Sequence, residues 1–358
     1  MSTVPELVQL LTPEGQRVED PTHAIDLSAD ELRGLYRDLV LVRRWDVEAT
    51  ALQRQGELGL WPPLLGQEAA QVGAGHALQP GDMAFPTYRE HGVAWVRGVD
   101  PLHVMSLYRG VDNGGWDPAE TGLNLYTIVI PAQTLHATGY AMGVQRDGAE
   151  TAVLAFLGDG ATSQGELSEA MIWAASFSAP VVFFCQNNQY AISAPIERQS
   201  RVPLAHRAAG FGFPGVRVDG NDVLAVLAVT RAALTAAREG QGPTFIEAFT
   251  YRMGAHTTSD DPTRYRLAHE VEEWRRRDPI ARLRTHLEQE GIADADFLAA
   301  VEAEGEELAA RIRRGTIAMQ PRPAVTMFDA VYAEQPPPLA AQRDEFLAYQ
   351  ASFEEAGR

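Results

Sequence analysis

GDGATSQGELSEAMIWAASFSAPVVFFCQNN runs from Gly158 to Asn188 and follows directly on the apolar run TAVLAFL, residues 151–157. Two glycines flank an acid, a helical pattern follows over 165–176, and a second apolar run, PVVFFCQ (180–186), ends abruptly in Asn187-Asn188. Near-continuous apolar strands separated by a helix predict a buried parallel sheet. Such a sheet carries its functional loops at the carboxyl ends of its strands. Asp159 sits at one such end, on a turn that Gly158 and Gly160 make sterically easy, and Asn188 at the next. The two are about one crossover unit apart, so they can meet in space. Carboxylate, carboxamide and a nearby main-chain carbonyl are hard oxygen ligands suited to Mg²⁺ or Ca²⁺. The helix beginning near Ala161–Gly165 offers free N–H groups to a phosphate at the same place. Taken singly, GDG is a common turn and Asn-Asn after a strand can be a helix cap. A dinucleotide site is a rival, but GDGATSQG is not a clean G-x-G-x-x-G, and no Walker motif is present.

Outward from this segment the pattern continues. VRVDG (216–220) and PTFIEAF (243–249) read as further strands, joined by a helical crossover over 222–239. On the other side, Ala132 to Gly143 reads as a tightly packed helix with small residues. Residues 81–127 are rich in glycine and aromatics, and GVDNGGWDPAETG within them reads as a long exposed loop. A helix is expected between Gly66 and Pro80. Another spans 29–57, where Leu32, Leu35, Leu39, Val42, Trp45 and Ala49 recur at spacings of three and four. Residues 1–28 form an irregular lead, and the tail from about 273 is helical and charged, with a Pro-rich linker at 321–324. The division expected is an N-terminal extension and helix (1–60), an α/β domain (61–320) and a C-terminal helical tail (321–358).

The chain has 358 residues, ample for a sizeable core, and a formal net charge of −18. That balance argues against a nucleic-acid partner. It leaves room for a small anionic ligand held by a few arginines, backbone amides and a cation. No apolar run reaches 18 residues, and the N-terminus lacks a basic flank before an apolar segment, so a cytoplasmic protein without membrane attachment is expected. The single cysteine, Cys185, reads as core packing.

GDG followed after 26 residues by NN resembles the diphosphate signature of thiamine-diphosphate enzymes. The fuller stretch through Ser193, with FPTYREHG (85–92) and FTYRMGAHTTSDDPTRYR (249–266), resembles the alpha subunit of the E1 component of 2-oxo acid dehydrogenase complexes over roughly residues 30–320. The resemblance implies a thiamine-diphosphate-binding α/β fold, with helices on both faces of a largely parallel central sheet and helical extensions at both ends. It implies thiamine diphosphate and Mg²⁺ as cofactors. Asp159, Asn188 and the Tyr190 carbonyl would hold the metal. Tyr88, Arg89, Ile128, Ile130, Gly160, Ala161, Arg252 and His256 would contact the cofactor along with Asp159 and Asn188, His256 being the catalytic candidate. Asp260 and Tyr265 would order the loop carrying it. Thr257 occupies the position at which some relatives are controlled by serine phosphorylation.

The implied reaction is oxidative decarboxylation of a 2-oxo acid with acyl transfer to the lipoyl arm of an E2 acyltransferase. The glutamate that activates the aminopyrimidine is expected on a separate beta subunit, in an alpha₂beta₂ heterotetramer, and Glu166 is expected only to serve the start of its helix. Two departures bear on the substrate. No histidine lies between His103 and His136, so His136 either compensates or packs between subunits, and Thr87 stands where some branched-chain relatives carry glutamine. The apolar LNLYTIVI segment (123–130) favours a branched 2-oxo acid over pyruvate. Pyruvate, and less so acetoin, remain alternatives, and a non-enzymatic α/β module is the reading furthest from these motifs.

Overall fold

The computed structural model describes residues 7–112 and 114–356. Its centre is a five-stranded, wholly parallel sheet: β1 (Met83–Phe85), β2 (Val153–Gly158), β3 (Val181–Asn187), β4 (Gly215–Asp219) and β5 (Thr244–Phe249), in the spatial order β1-β2-β3-β5-β4. Strands β2 and β3 are where the apolar runs predict them. Strand β1 lies in the glycine- and aromatic-rich stretch 81–127, where the sequence marks no strand: three residues carry too little pattern, and what makes them a strand is pairing with β2.

Alternate strand residues face opposite layers. Leu154, Phe156, Val182, Phe184 and Ile246 pack into a core with helices α1 (Ala29–Arg54), α2 (Glu68–Ala77) and, further along the chain, Val223–Arg238. Val153, Ala155, Val181, Phe183, Cys185 and Phe245 face a second core under α3 (Ala132–Asp147) and α4 (Gly165–Phe177). Helix Val223–Arg238 is α5. The helices on both faces explain why these strands are apolar throughout rather than alternating.

The charged tail is helical over Pro279–Gln289, Ala295–Ala318 and Pro337–Ala356. Ala295–Ala318 packs along α1, so the first and the penultimate long helices brace one another. The irregular lead is better anchored than its sequence suggests. Val8 bridges to Val218 at the β4 edge, and the Leu10 and Leu11 amides donate to Asp222 Oδ2 at 2.7 and 2.6 Å. The other oxygen of Asp222 caps α5. Residues 1–6 of that lead lie outside the described residues. So does Asn113, within the loop expected over 110–122. That loop is not wholly exposed: Trp116 is buried against Tyr126 and donates Nε1–H to the Leu123 carbonyl at 2.9 Å.

Phe184 stands on the central strand, fully buried and 5.3 Å from the Phe156 ring. Phe184→Ala is expected to lower stability by about 3–5 kcal/mol through lost transfer energy and a cavity. Phe353→Ala, on the exposed face of Pro337–Ala356, is expected to change it by less than about 0.5 kcal/mol. Calorimetric melting of the two variants checks the contrast.

Parallel order puts the carboxyl ends of all strands on one edge. Register brings Gly158 opposite Gln186 and Asn187 opposite Phe249. The turn after β2, the Asn-Asn pair after β3 and the segment after β5 therefore leave the sheet side by side, about 5 Å apart per strand.

Candidate active site

Along that edge lies a cleft of about 250 Å³. Its walls include Tyr88 and Arg89 after β1, Asp159, Gly160 and Ala161 after β2, Asn188 and Tyr190 after β3, Arg252 and His256 after β5, and Ile130. Every residue expected from the sequence to hold the cofactor or metal is thus brought together except Ile128, which is 72% exposed and lines no part of the cleft. His136 is exposed on α3, outside the cleft as well. Asp159 opens a short 3₁₀ turn, Asp159–Ser163, and α4 proper starts only at Gly165; no side chain caps either start. Gly160 is needed here because a β-carbon would come within 2.7 Å of Ala191 Cβ.

Three oxygens converge on one side of the cleft. Asp159 is 1% exposed, and burial lifts its carboxyl to about 6, opposed by a 2.8 Å hydrogen bond from Gln199 Nε2. The Asn188 carboxamide donates through Nδ2 to Gln67 Oε1 at 3.0 Å. So placed, its oxygen lies 3.2 Å from Asp159 Oδ1 and from the Tyr190 carbonyl oxygen and accepts from the Tyr190 amide at 3.3 Å; turned over, the carboxamide donates to both of those oxygens at 3.2 Å. Gln189, at φ 72°, makes the turn that lets residues 188 and 190 face the same space. The Tyr190 carbonyl already accepts from Arg252 Nη1 at 2.9 Å, and the remaining opposition of oxygens is relieved either by a cation among them or by the turned-over carboxamide. Octahedral Mg²⁺ at roughly 2.0–2.1 Å sets neighbouring ligand oxygens about 3 Å apart, so the donor set fits a magnesium ion. Among the described residues no group of three or more His, Cys, Asp or Glu could hold a metal. A cation here would complete its shell with water and oxygens of an anionic ligand, the usual habit of Mg²⁺.

The cleft is also lined by cationic groups. All 30 basic residues of the chain are arginines, whose guanidinium stays charged on burial. Arg89 donates to the Pro63 carbonyl at 2.6 Å and the His256 carbonyl at 2.8 Å. Arg252, fully buried, donates to the carbonyls of Tyr190 (2.9 Å) and Ile192 (2.6 Å) and to Tyr265 Oη (3.0 Å). Its Nε has no partner among the described residues. Neutral acceptors fix both forks without neutralising them, leaving the charge for a bound anion.

His256 Nδ1 lies 3.2 Å from Arg89 Nη2 and 3.4 Å from Arg252 Nη1. Arginine can only donate, so Nδ1 accepts and the neutral ring carries its proton on Nε2. Burial, then Arg89 and Arg252, push its pKa down to about 3. The loop is pinned by Asp260, whose Oδ2 accepts from the His256 amide at 2.9 Å and from Tyr265 Oη at 2.5 Å, as the sequence led one to expect of these two residues.

Sequence reasoning missed the polar layer beneath. Glu90 accepts from the Thr87 hydroxyl (2.6 Å) and Gln186 Nε2 (2.6 Å), and Gln71 donates to Gln186 Oε1 (3.1 Å) and the Arg89 carbonyl (2.9 Å). Burial raises the pKa of Glu90 against the opposing Thr87 bonds. Glu90 and Gln186 adjoin Arg89 and Asn187 in sequence, a usable signal; Gln67, Gln71 and Gln199 carry none.

The family described as "Dehydrogenase E1 component" matches residues 36–314. The 3-methyl-2-oxobutanoate dehydrogenase subunit alpha of Mycobacterium tuberculosis (strain ATCC 25618 / H37Rv) is 46% identical over 349 residues, covering 97% of this chain and 95% of that one. The pyruvate dehydrogenase E1 component subunit alpha of Acholeplasma laidlawii is 38% identical over 329 residues, 90% of this chain and 94% of its own. Its counterpart from Bacillus subtilis (strain 168) is 36% identical over 339 residues, 93% and 90% respectively.

Proposed function

The chain belongs to the dehydrogenase E1 component family, and from this we propose that it is the alpha subunit of a branched-chain 2-oxo acid dehydrogenase E1. With a beta subunit it catalyses oxidative decarboxylation of acids such as 3-methyl-2-oxobutanoate and passes the acyl group to the lipoyl arm of an E2 acyltransferase. The observation that carries the reading is the cleft itself: Asp159, the Asn188 carboxamide and the Tyr190 carbonyl meet within 3.2 Å of one another beside two arginines that form no ion pair with a carboxylate among the described residues. Identity of 46% over nearly the whole of both chains supports the branched-chain substrate. Working in an alpha₂beta₂ heterotetramer is part of the same proposal, as is a cytoplasmic location; among the described residues no helix is long and apolar enough to cross a membrane. We also propose residues 61–320 as the cofactor-binding unit, flanked by extensions.

Thiamine diphosphate, the family's cofactor together with Mg²⁺, supplies when bound the carbanion stabilisation that decarboxylation needs. Asp159, Asn188 and the Tyr190 carbonyl would hold the metal. Arg89 and Arg252, with Tyr88 beside them, would take the diphosphate oxygens, and Gly160 and Ala161 would let them approach the backbone. Ile130 would pack on the cofactor's apolar part. We assign His256 as the group nearest the reacting atoms, a neutral donor through Nε2–H. The cleft is small for a whole cofactor, given that small-molecule sites commonly enclose about 300–1,000 Å³, which suits a site shared with a second chain. Ile128, so exposed here, fits that arrangement as a residue meeting the cofactor or the partner only across the shared boundary.

The test is kcat/KM of the co-expressed alpha–beta assembly with Mg²⁺, thiamine diphosphate and an artificial electron acceptor. Branched acids are expected to exceed pyruvate by roughly 10–200-fold, the range apolar side-chain contacts support. A preference for pyruvate overturns the substrate reading. Acetoin cleavage without activity on 2-oxo acids overturns the E1 reading.

A further inference from the structure

We infer that Gln199 sets the site's preference for Mg²⁺ over Ca²⁺: by holding Asp159 Oδ2 it leaves a cation only one oxygen of that carboxylate, Oδ1. This rests on reading the cleft as a Mg²⁺–diphosphate site. Gln199 is a positioning residue, not a ligand: it acts through Asp159.

The two oxygens of Asp159 face different neighbours. Oδ1 lies 3.2 Å from the Asn188 carboxamide, whichever way that amide is turned. Oδ2 accepts from Gln199 Nε2 at 2.8 Å. The Gln199 amide is fixed at its nitrogen end, because Nε2 also donates to the Ala194 carbonyl at 3.2 Å. Turned over, its oxygen would meet a carboxylate and a carbonyl and lose both hydrogen bonds. Oε1 is buried with no partner among the described residues, so no bond at the far side competes.

The chain also holds Gln199 in place independently of Asp159. It ends the short helix Ile196–Gln199, which follows the hairpin made by Tyr190–Ala191 and Ala194–Pro195. Ala191 of that hairpin sits tightly against Gly160. Arg207 joins the two sides: Nη1 donates to the Thr162 carbonyl in the turn after β2, and Nη2 reaches the Gln199 carbonyl at 3.5 Å. Thr162 Oγ1 closes that turn onto the Asp159 carbonyl at 2.7 Å. Carboxylate and donor are thus mounted on one braced unit.

How many oxygens Asp159 offers then decides the metal. Ca²⁺ takes six to eight oxygens at about 2.3–2.6 Å and accepts both oxygens of one carboxylate. Those two oxygens stand too close together to fill adjacent vertices of a Mg²⁺ octahedron, whose neighbouring oxygens are about 3 Å apart. A carboxylate with one oxygen already occupied therefore suits Mg²⁺ and denies Ca²⁺ its larger shell.

Two variants separate this role from packing. Gln199→Met has a similar length but no donor, and Gln199→Glu, when ionised, can only accept. The measurement is displacement of Mn²⁺ from the alpha–beta assembly by Mg²⁺ and by Ca²⁺ in saturating thiamine diphosphate, followed by the electron paramagnetic resonance signal of free Mn²⁺. Gln199→Met is expected to lower the ratio of Mg²⁺ to Ca²⁺ affinity about 10–100-fold, Mg²⁺ binding weakening while Ca²⁺ binding holds or strengthens. Gln199→Glu moves the ratio in the same direction and carries the test if Gln199→Met does not assemble. A packing role would weaken both metals equally, so an unchanged ratio in either assembled variant overturns the inference. A wild-type assembly that fails to bind Mn²⁺ with the cofactor overturns the cleft reading itself, and the inference with it.

Discussion

Asp159→Asn is expected to eliminate cofactor-dependent turnover, lowering activity of the alpha–beta assembly roughly 10²–10³-fold or more while leaving the chain folded. Of the three oxygens that converge in the cleft, the Asp159 carboxylate alone carries charge, and it is 1% exposed. Removing one partner from a buried charge pair typically costs about 3–5 kcal/mol, which sets the lower bound of the effect. Asparagine has the same shape but can also present an N–H₂ to Asn188 and the Tyr190 carbonyl, closing the site with hydrogen bonds. Stability is expected to move the other way. Without a cation, burial raises the carboxyl from 3.8 to about 6, so the folded chain binds a proton between those values that the unfolded chain does not. Stability therefore falls as pH rises through that window and stays lower above it. Asp159→Asn removes this penalty. Its cofactor-free melting temperature at neutral pH is expected to equal or exceed that of the wild type, while the upward shift on adding Mg²⁺ and thiamine diphosphate disappears. A variant that still shows the shift would refute the role given to Asp159.

The same residue shows what a sequence exposes and what it hides. Asp159 and Asn188 are legible because TAVLAFL and PVVFFCQ are too apolar for anything but buried strands, and a parallel sheet presents its strand ends on one edge. Strand β1 is not legible: Met83–Phe85 has no periodicity of its own and is made a strand by its pairing with β2. The lateral order is hidden for a related reason. Strand β4 precedes β5 in the chain yet lies outside it, and neither strand's composition records its neighbour. Arg89 and Arg252 stand out only through the motifs that contain them; that neither forms an ion pair with a carboxylate among the described residues is a fact of tertiary packing. The supporting glutamines are hidden most completely. Gln67, Gln71 and Gln199 resemble surface residues in sequence, and their roles depend on which acceptors and donors each meets in the fold. The lead fails in the opposite direction: no periodic face marks residues 7–28, yet Leu10 and Leu11 are buried because Asp222 captures their amides.

His256 separates chemistry from cofactor binding. His256→Ala is expected to reduce kcat about 10²–10³-fold, within the range for a group that handles protons or hydrogen bonds in the transition state, with cofactor affinity changed less than about threefold. The reason lies in its position: its Nδ1 is engaged by Arg89 and Arg252, so what it offers the cleft is the Nε2–H donor. His256→Asn keeps a donor on a shorter side chain and is expected to retain more activity than His256→Ala. The pH dependence carries the sharper test. Burial and two arginines hold the ring neutral down to about pH 3, so its charge does not change as pH falls from 8 to about 5 in the cofactor-free cleft. Burial is the first of these causes and a bound ligand deepens it, so the ring is expected to stay neutral at pH 5.5, whereas metal binding expels a proton from Asp159, whose carboxyl sits at about 6. Calorimetry of cofactor binding in buffers of different ionisation enthalpy is expected to show a net proton release that is the same in His256→Ala as in the wild type. A release that changes in that variant would mean the ring takes up a proton in the loaded site, and would overturn its role as a neutral donor.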